Sequence, residues 1–144
     1  GDLFDSVGST ALSIAHRQGQ ADAIFFKHQR VLKSPGPCLP RVRTWHNAPA
    51  TSAIYGCTTW HLTGSLLKGL RTWELERLRR MFKMRRKPSE TQATFNKLTA
   101  LGLHNWFAHA GLLMAYHHVL KLISKVAWKE KASPLDHKAN PLHW

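Results

Sequence analysis

The chain has 144 residues, with 21 Lys and Arg against 8 Asp and Glu, for a formal charge of +13 with neutral histidines. That balance points to polyanionic partners, nucleic acid first and an anionic membrane surface second, and it leaves few carboxylates for acid–base or two-metal chemistry. A hydrophobic fraction of 43% excludes a generic disordered chain, and the longest apolar stretch, around 110–116, is far short of the roughly 20 residues a bilayer needs.

A first helix is predicted from about Ser9 to Lys33. Ser9 or Thr10 can cap it, and Ile14, Ala21, Phe25 and Leu32 share one face. Ser34-Pro35-Gly36-Pro37 stops it, because both prolines resist helix. A shorter helix starts near Pro40 and carries Val42 and Trp45, and Pro49 should break or kink it. The stretch Ala53–Leu62 is rich in β-branched and aromatic residues but contains Gly56, and suits helix or strand.

From Leu66 to about Lys87 the pattern is clear. Leu67, Leu70, Leu75, Leu78, Met81 and Phe82 fall within about 140° of arc at 100° per residue. Lys68, Arg79, Arg80, Lys83, Arg86 and Lys87 fall on another arc, which predicts one amphipathic helix with a cationic face. Glu74 projects from the apolar side, where Arg71 or Arg77 can pair with it.

Pro88 ends that helix, and Ser89-Glu90-Thr91-Gln92 reads as a capping box for the next. Phe95, Leu98 and Trp106 continue it, with Gly102 as a break point. Gly111 separates a final helix with Leu112, Tyr116, Val119, Leu120, Ile123 and Val126 on one face and Lys121, Lys125 and Lys129 on the other. After Ala132 the periodicity is lost. The expected fold is all-α, a small bundle of about four helices over 7–130 with a frayed, irregular tail at 131–144.

Arg77–Lys87 is the strongest physical signal: its cations lack balancing acids, so phosphate contact outweighs a merely solvated face. The ten histidines suggest metal, yet His104, His109, His117 and His118, with Cys38 and Cys57, match no zinc spacing; surface histidines are the blander reading. No CxxC pair or disulfide framework appears either, which suits reduced thiols in an intracellular compartment. Of the six tryptophans, Trp60, Trp73 and Trp106 are expected in the core rather than stacked on bases. There is no GxSxG, no Gly-rich phosphate loop, no Asp-Asp and no Asp-x-Asp, so no catalytic residue and no metal ligand is assigned.

Ile54-Tyr55-Gly56-Cys57-Thr58-Thr59-Trp60-His61-Leu62-Thr63 resembles the YGCETWTLT block that follows the catalytic palm in many non-LTR (LINE-like) retrotransposon reverse transcriptases. Leu78-Arg79-Arg80-Met81-Phe82 is similar to the LRRML element of the helix that follows it in the family. Upstream, Val7-Gly8-Ser9 resembles an LGS turn, and Arg17, Ala21, Phe25 and Phe26 a helix with an R-x-x-x-A pattern. Downstream, Phe95-Asn96-Lys97-Leu98-Thr99 and Trp106 resemble the YNRRT…W helix of one subgroup. Two positions depart from the pattern: Thr58 stands where Glu or Gly is common, and Pro49 interrupts a helix that is usually continuous.

The resemblance implies a thumb-like, template–primer-holding piece of an RNA-directed DNA polymerase. The family's YADD-type aspartates precede the matching region and do not occur here, so polymerisation and its Mg2+ would belong to an upstream palm, and this chain by itself is not expected to be an enzyme. The opening Gly-Asp-Leu-Phe-Asp reads as the interior of a longer polypeptide. The expected partners are an RNA–DNA hybrid or DNA backbone and the rest of that polymerase, with no membrane, no cofactor in this chain, and an intracellular, nuclear location. Phosphate contacts are expected from Lys68, Arg79, Arg80, Lys83, Arg86 and Lys87. Two readings compete: a stand-alone basic helical nucleic-acid-binding module, and a non-functional translated remnant of a retroelement.

Overall fold

The computed structural model describes residues 2–131, with side chains from 7 to 125. Every regular element among the described residues is helical, so the all-α class is observed. Four long helices, α1 (Asp2–Lys27), α5 (Gly64–Met81), α6 (Gln92–His109) and α7 (Ala115–Lys131), are joined by a fifth, broken rod. The irregular tail expected after Ala132 lies outside the described residues, as do the side chains of Val126 and Lys129.

Helix α1 begins well before the predicted Ser9, which places Ser9 and Thr10 inside it rather than at a cap. The buried Thr10 hydroxyl instead accepts the His61 backbone N–H at 2.8 Å. Helix α1 is interrupted at His28 and the helical path resumes as α2 (Gln29–Leu32) before Ser34–Pro37 turns the chain, as the prolines require.

Helix α3 (Cys38–Trp45) carries Pro40 in its first turn and buries Val42 and Trp45. Pro49 neither ends nor sharply breaks this rod. The backbone widens into a π turn over His46–Ala50 and continues as α4 (Thr51–Ala53). Widening relieves the clash of the proline ring with the carbonyl one α-turn back, and the Thr51 hydroxyl donates to the His46 carbonyl at 2.8 Å.

The ambiguous Ala53–Leu62 stretch becomes neither a full helix nor a strand. Gly56 is left-handed at φ +76°, a single 3-10 turn spans Cys57–Thr59, and Trp60 is extended. Cys57 and Trp60 are buried and anchor the turn, while Thr58 and Thr59 face outward.

Helix α5 is capped by Thr63, whose hydroxyl accepts the Leu66 N–H at 3.2 Å. It ends at Met81, six residues before the expected Lys87, with Lys83 left-handed at φ +52°. Met84 N–H bonds the Arg79 carbonyl at 2.9 Å and Lys83 N–H the Arg80 carbonyl at 3.1 Å, a Schellman closure with lysine where glycine is usual. Arg41 explains the early stop. Its buried guanidinium donates to the Met81 carbonyl and, at 2.8 Å, to the Leu32 carbonyl, so one cation satisfies the C-terminal ends of both α2 and α5. Phe82 is held beneath that guanidinium, 4.5 Å from ring centre, and against Trp106 at 4.7 Å.

The capping box expected at Ser89–Gln92 is displaced: Thr91 caps α6, accepting the Thr94 N–H at 3.2 Å. Gly102 causes no break, and the helix buries Ala100, Leu103 and Phe107. That rotation leaves Leu98 55% exposed and Trp106 37% exposed, against the expectation of a Phe95–Leu98–Trp106 inner face. Gly111, at φ +71°, closes α6 by a second Schellman turn and separates it from α7 as predicted. Tyr116 and Val119 point inward from α7, whereas Leu120 is exposed.

Trp45 forms the centre of the core, edge-on to Phe25 at 6.2 Å and 5.7 Å from Trp73. Trp60 and Trp73 are buried as expected.

Candidate nucleic-acid interface

Because α5 buries Leu70, Leu75, Leu78 and Met81, its remaining face is turned to solvent and toward α6. Lys68, Arg71 and Arg79 from α5, with Lys97 from α6, rim a groove of about 590 Å3 floored by Leu75 and Ala100. A second hollow of about 440 Å3, where the chain leaves α5, is lined by Lys33, Arg79, Arg80, Lys83 and Arg85. Arg79 borders both.

Arg79 has a positional role as well. Its Nε donates to Thr99 Oγ1 at 2.8 Å and its Nη2 to the Asn96 carbonyl at 3.1 Å, while its carbon centre lies 5.9 Å from the Phe95 ring centre. Partial burial pulls its pKa down from the ordinary guanidinium value, a shift that leaves it a cation at neutral pH. It braces α5 against α6 and so sets the groove's width.

Of the six residues expected from sequence, Lys68 and Arg79 border the groove and Arg79, Arg80 and Lys83 the hollow. Arg86 and Lys87 line neither. They lie beyond the end of α5, where the Arg86 side chain donates to the Glu90 carbonyl at 2.7 Å and the Lys87 backbone N–H to Glu90 Oε1 at 3.2 Å. The single cationic helix face extending to Lys87 is therefore corrected to two adjoining basic surfaces.

Among the described residues the carboxylates find their partners away from these cations, apart from Glu76, whose charge also acts on Arg79. Asp22 is held by Arg77 through two bonds of 2.8 and 3.0 Å. Glu76 lies 3.6 Å from the same guanidinium, whose pKa is raised chiefly by its hydrogen bond to Asp22. Glu90 serves the Lys87 N–H. Glu74, expected to pair with Arg71 or Arg77, is instead wholly buried and accepts from Trp45 Nε1 at 3.2 Å, Ala115 N–H at 2.7 Å and Tyr116 N–H at 3.2 Å. Among the described residues, both ion pairs belong to Arg77.

The histidines join the packing. His104 Nδ1–H donates to the Ala100 carbonyl at 2.6 Å, which leaves Nε2 to accept the Tyr116 hydroxyl. His46 and His118 lie parallel at 6.5 Å, and burial lowers the pKa of His118 and of His117. Among the described residues no three His, Cys, Asp or Glu side chains converge as metal ligands do. Burial also pushes the Cys57 thiol up, away from thiolate chemistry.

Sequence reasoning missed Arg71, Lys97, Lys33 and Arg85. Arg71 is legible in the spacing, three residues after Lys68 on one helical face, but the same spacing offers Arg71 or Arg77 as a partner for Glu74. Lys33 caps the C-terminal end of α2 and Lys97 lies in α6, and only tertiary packing brings them to α5. No helix among the described residues is long and apolar enough to cross a membrane. No protein-family model, curated protein or solved structure matches the chain.

Proposed function

We propose that the chain holds the backbone of a nucleic-acid duplex, as a thumb-type, template–primer-binding piece of a reverse transcriptase similar to those of non-LTR retrotransposons. The observation that carries this reading is the α5–α6 groove. Lys68, Arg71, Arg79 and Lys97 border one cleft, while the described carboxylates are engaged elsewhere. From Lys68 to Arg79 the helix rises roughly 16 Å, a span that several successive phosphates of one strand cover. Neutralising those phosphates releases condensed counterions, which supplies affinity without base readout. An A-form hybrid is read this way, by shape and backbone. The aliphatic floor supports backbone contact over base stacking. Nucleotide addition, with the Mg2+ it needs, is assigned to a palm bearing the aspartate pair that this sequence lacks.

Lysine acetylation in the presence of an RNA–DNA hybrid tests the reading. Lys68, Lys83 and Lys97 should be protected, and the exposed Lys121 and Lys125 of α7 should remain reactive. Uniform protection, or protection confined to α7, would contradict it.

A further inference from the structure

A different pocket, of about 420 Å3, lies between α1 and the turn that follows α4. Ser13, His16 and Arg17, at i, i+3 and i+4 on one face of α1, form one wall; Tyr55, Thr59 and Trp60 form the other. Tyr55 is 68% exposed, although the turn that carries it is tightly fixed. Cys57 N–H bonds the Ile54 carbonyl at 3.0 Å, and the Thr59 N–H and hydroxyl both donate to the Gly56 carbonyl, at 3.1 and 2.8 Å. Buried Cys57 and Trp60 pin the same turn from below. The exposed aromatic is therefore presented by rigid backbone rather than left over on a loose loop. Arg17 reaches it, with its guanidinium carbon 4.8 Å from the ring centre. Among the described residues no carboxylate lines the pocket.

We propose that this pocket takes an unpaired nucleotide of a single strand, the base stacking on Tyr55 and its phosphate held by Arg17. The proposal takes its ligand class from the function proposed above, and it assigns the pocket a selectivity opposite to the groove's. Leu75, Ala100 and Leu101 give the groove an aliphatic floor, and its one aromatic ring, the half-buried His104, is held at both nitrogens by the Ala100 carbonyl and the Tyr116 hydroxyl, so the groove suits duplex backbone. Tyr55 supplies the stacking platform on which sequence-tolerant binding of single strands depends. The Arg17 guanidinium is already placed against that platform, so a nucleotide meets cation and aromatic together. Ser13 lines the same pocket, and its hydroxyl can serve the phosphate, whereas the Thr59 hydroxyl, which donates to the Gly56 carbonyl, can only accept from a sugar hydroxyl.

The test is fluorescence titration of the full chain with an oligouridine dodecamer and with a blunt RNA–DNA hybrid. The variants are Tyr55→Ala, Tyr55→Phe and Arg17→Ala, each checked for native helix content. Tyr55→Ala should weaken the single strand about ten-fold and the hybrid by less than about two-fold, while Tyr55→Phe retains binding. Arg17→Ala should lower the salt slope for the single strand by roughly 0.7. Excess uridine monophosphate should not displace the dodecamer; displacement at matching affinity would assign the pocket to a free nucleotide and overturn the proposal. Unchanged single-strand affinity in Tyr55→Ala, with the hybrid still bound, overturns this site alone. A chain that binds neither ligand overturns the groove's function as well. Equal losses on both ligands would mark Tyr55 as part of a general surface and also refute the assignment.

Discussion

The indole Nε1 of Trp45 donates to the Glu74 carboxylate at 3.2 Å, and both residues are 0% exposed. This bond ties α3 to α5 at the centre of the core. The same carboxylate accepts the Ala115 and Tyr116 N–H groups, two of the orphan donors that open α7. A side chain from one helix thus caps another forty residues away, and α3, α5 and α7 meet at one carboxyl group.

Removing that group should be severe. Glu74→Ala leaves three buried donors unpaired and is expected to cost on the order of 4 kcal/mol, because each orphaned group carries most of its desolvation penalty. Thermal or urea unfolding followed by circular dichroism measures this. A loss below about 1 kcal/mol would show that water or a neighbour replaces the carboxylate.

Burial, opposed by the three donors, raises the Glu74 pKa from 4.5 to about 7. The native state therefore binds more protons than the unfolded chain between those values, and this group's contribution to stability declines as pH rises through that window, by ~3 kcal/mol in all. His117 and His118, with lowered pKa values, act in the opposite sense as pH falls through and below the ordinary histidine range. Subtracting the profile of Glu74→Gln isolates the carboxyl: the wild-type advantage should be largest in acid and shrink toward neutrality. A pH-independent difference would refute the shift.

Arg41 should behave as a structural cation rather than a binding residue. Arg41→Ala frees the Leu32 and Met81 carbonyls together and is expected to cost about 2–3 kcal/mol. Arg41→Lys should recover only part of that, since an ammonium lacks the planar fork that reaches both helix ends. Chemical denaturation compares the three. Full recovery by lysine would leave charge alone as the explanation.

The helical class, the stop at Ser34–Pro37 and the break at Gly111 were legible because proline and glycine act locally. The end of α5 was not. Its cationic pattern continues to Lys87, and what stops the helix is a guanidinium from α3, a contact between residues forty positions apart. The partners of Glu74 are hidden from sequence for the same reason. Spacing placed Arg71 and Arg77 within reach, but Arg77 is taken by Asp22 of α1 and the carboxylate by α7. The groove was half legible: Lys68 and Arg79 follow from the α5 face, while Lys97 depends on how α6 is rotated, which also exposes Leu98 and Trp106.

Lys83 separates stability from binding. Its left-handed backbone favours glycine, so Lys83→Gly should raise stability by about 0.5–1 kcal/mol while weakening duplex binding. Melting and titration of the same preparation measure both effects. Tighter binding in the more stable variant would remove Lys83 from the phosphate-contacting surface.

The salt dependence of duplex binding tests the central claim most directly. With Lys68, Arg71, Arg80 and Lys97 neutralised one at a time, each change should reduce the slope of log K against log salt by roughly 0.9 on B-form DNA, and affinity should fall similarly across sequences. Arg79 is left in place because it braces α5 on α6. Neutralising the exposed Lys121 and Lys125 should barely alter the slope. Equal slope changes from the two sets would mean that diffuse charge does the binding, and would contradict a phosphate track along α5 and α6.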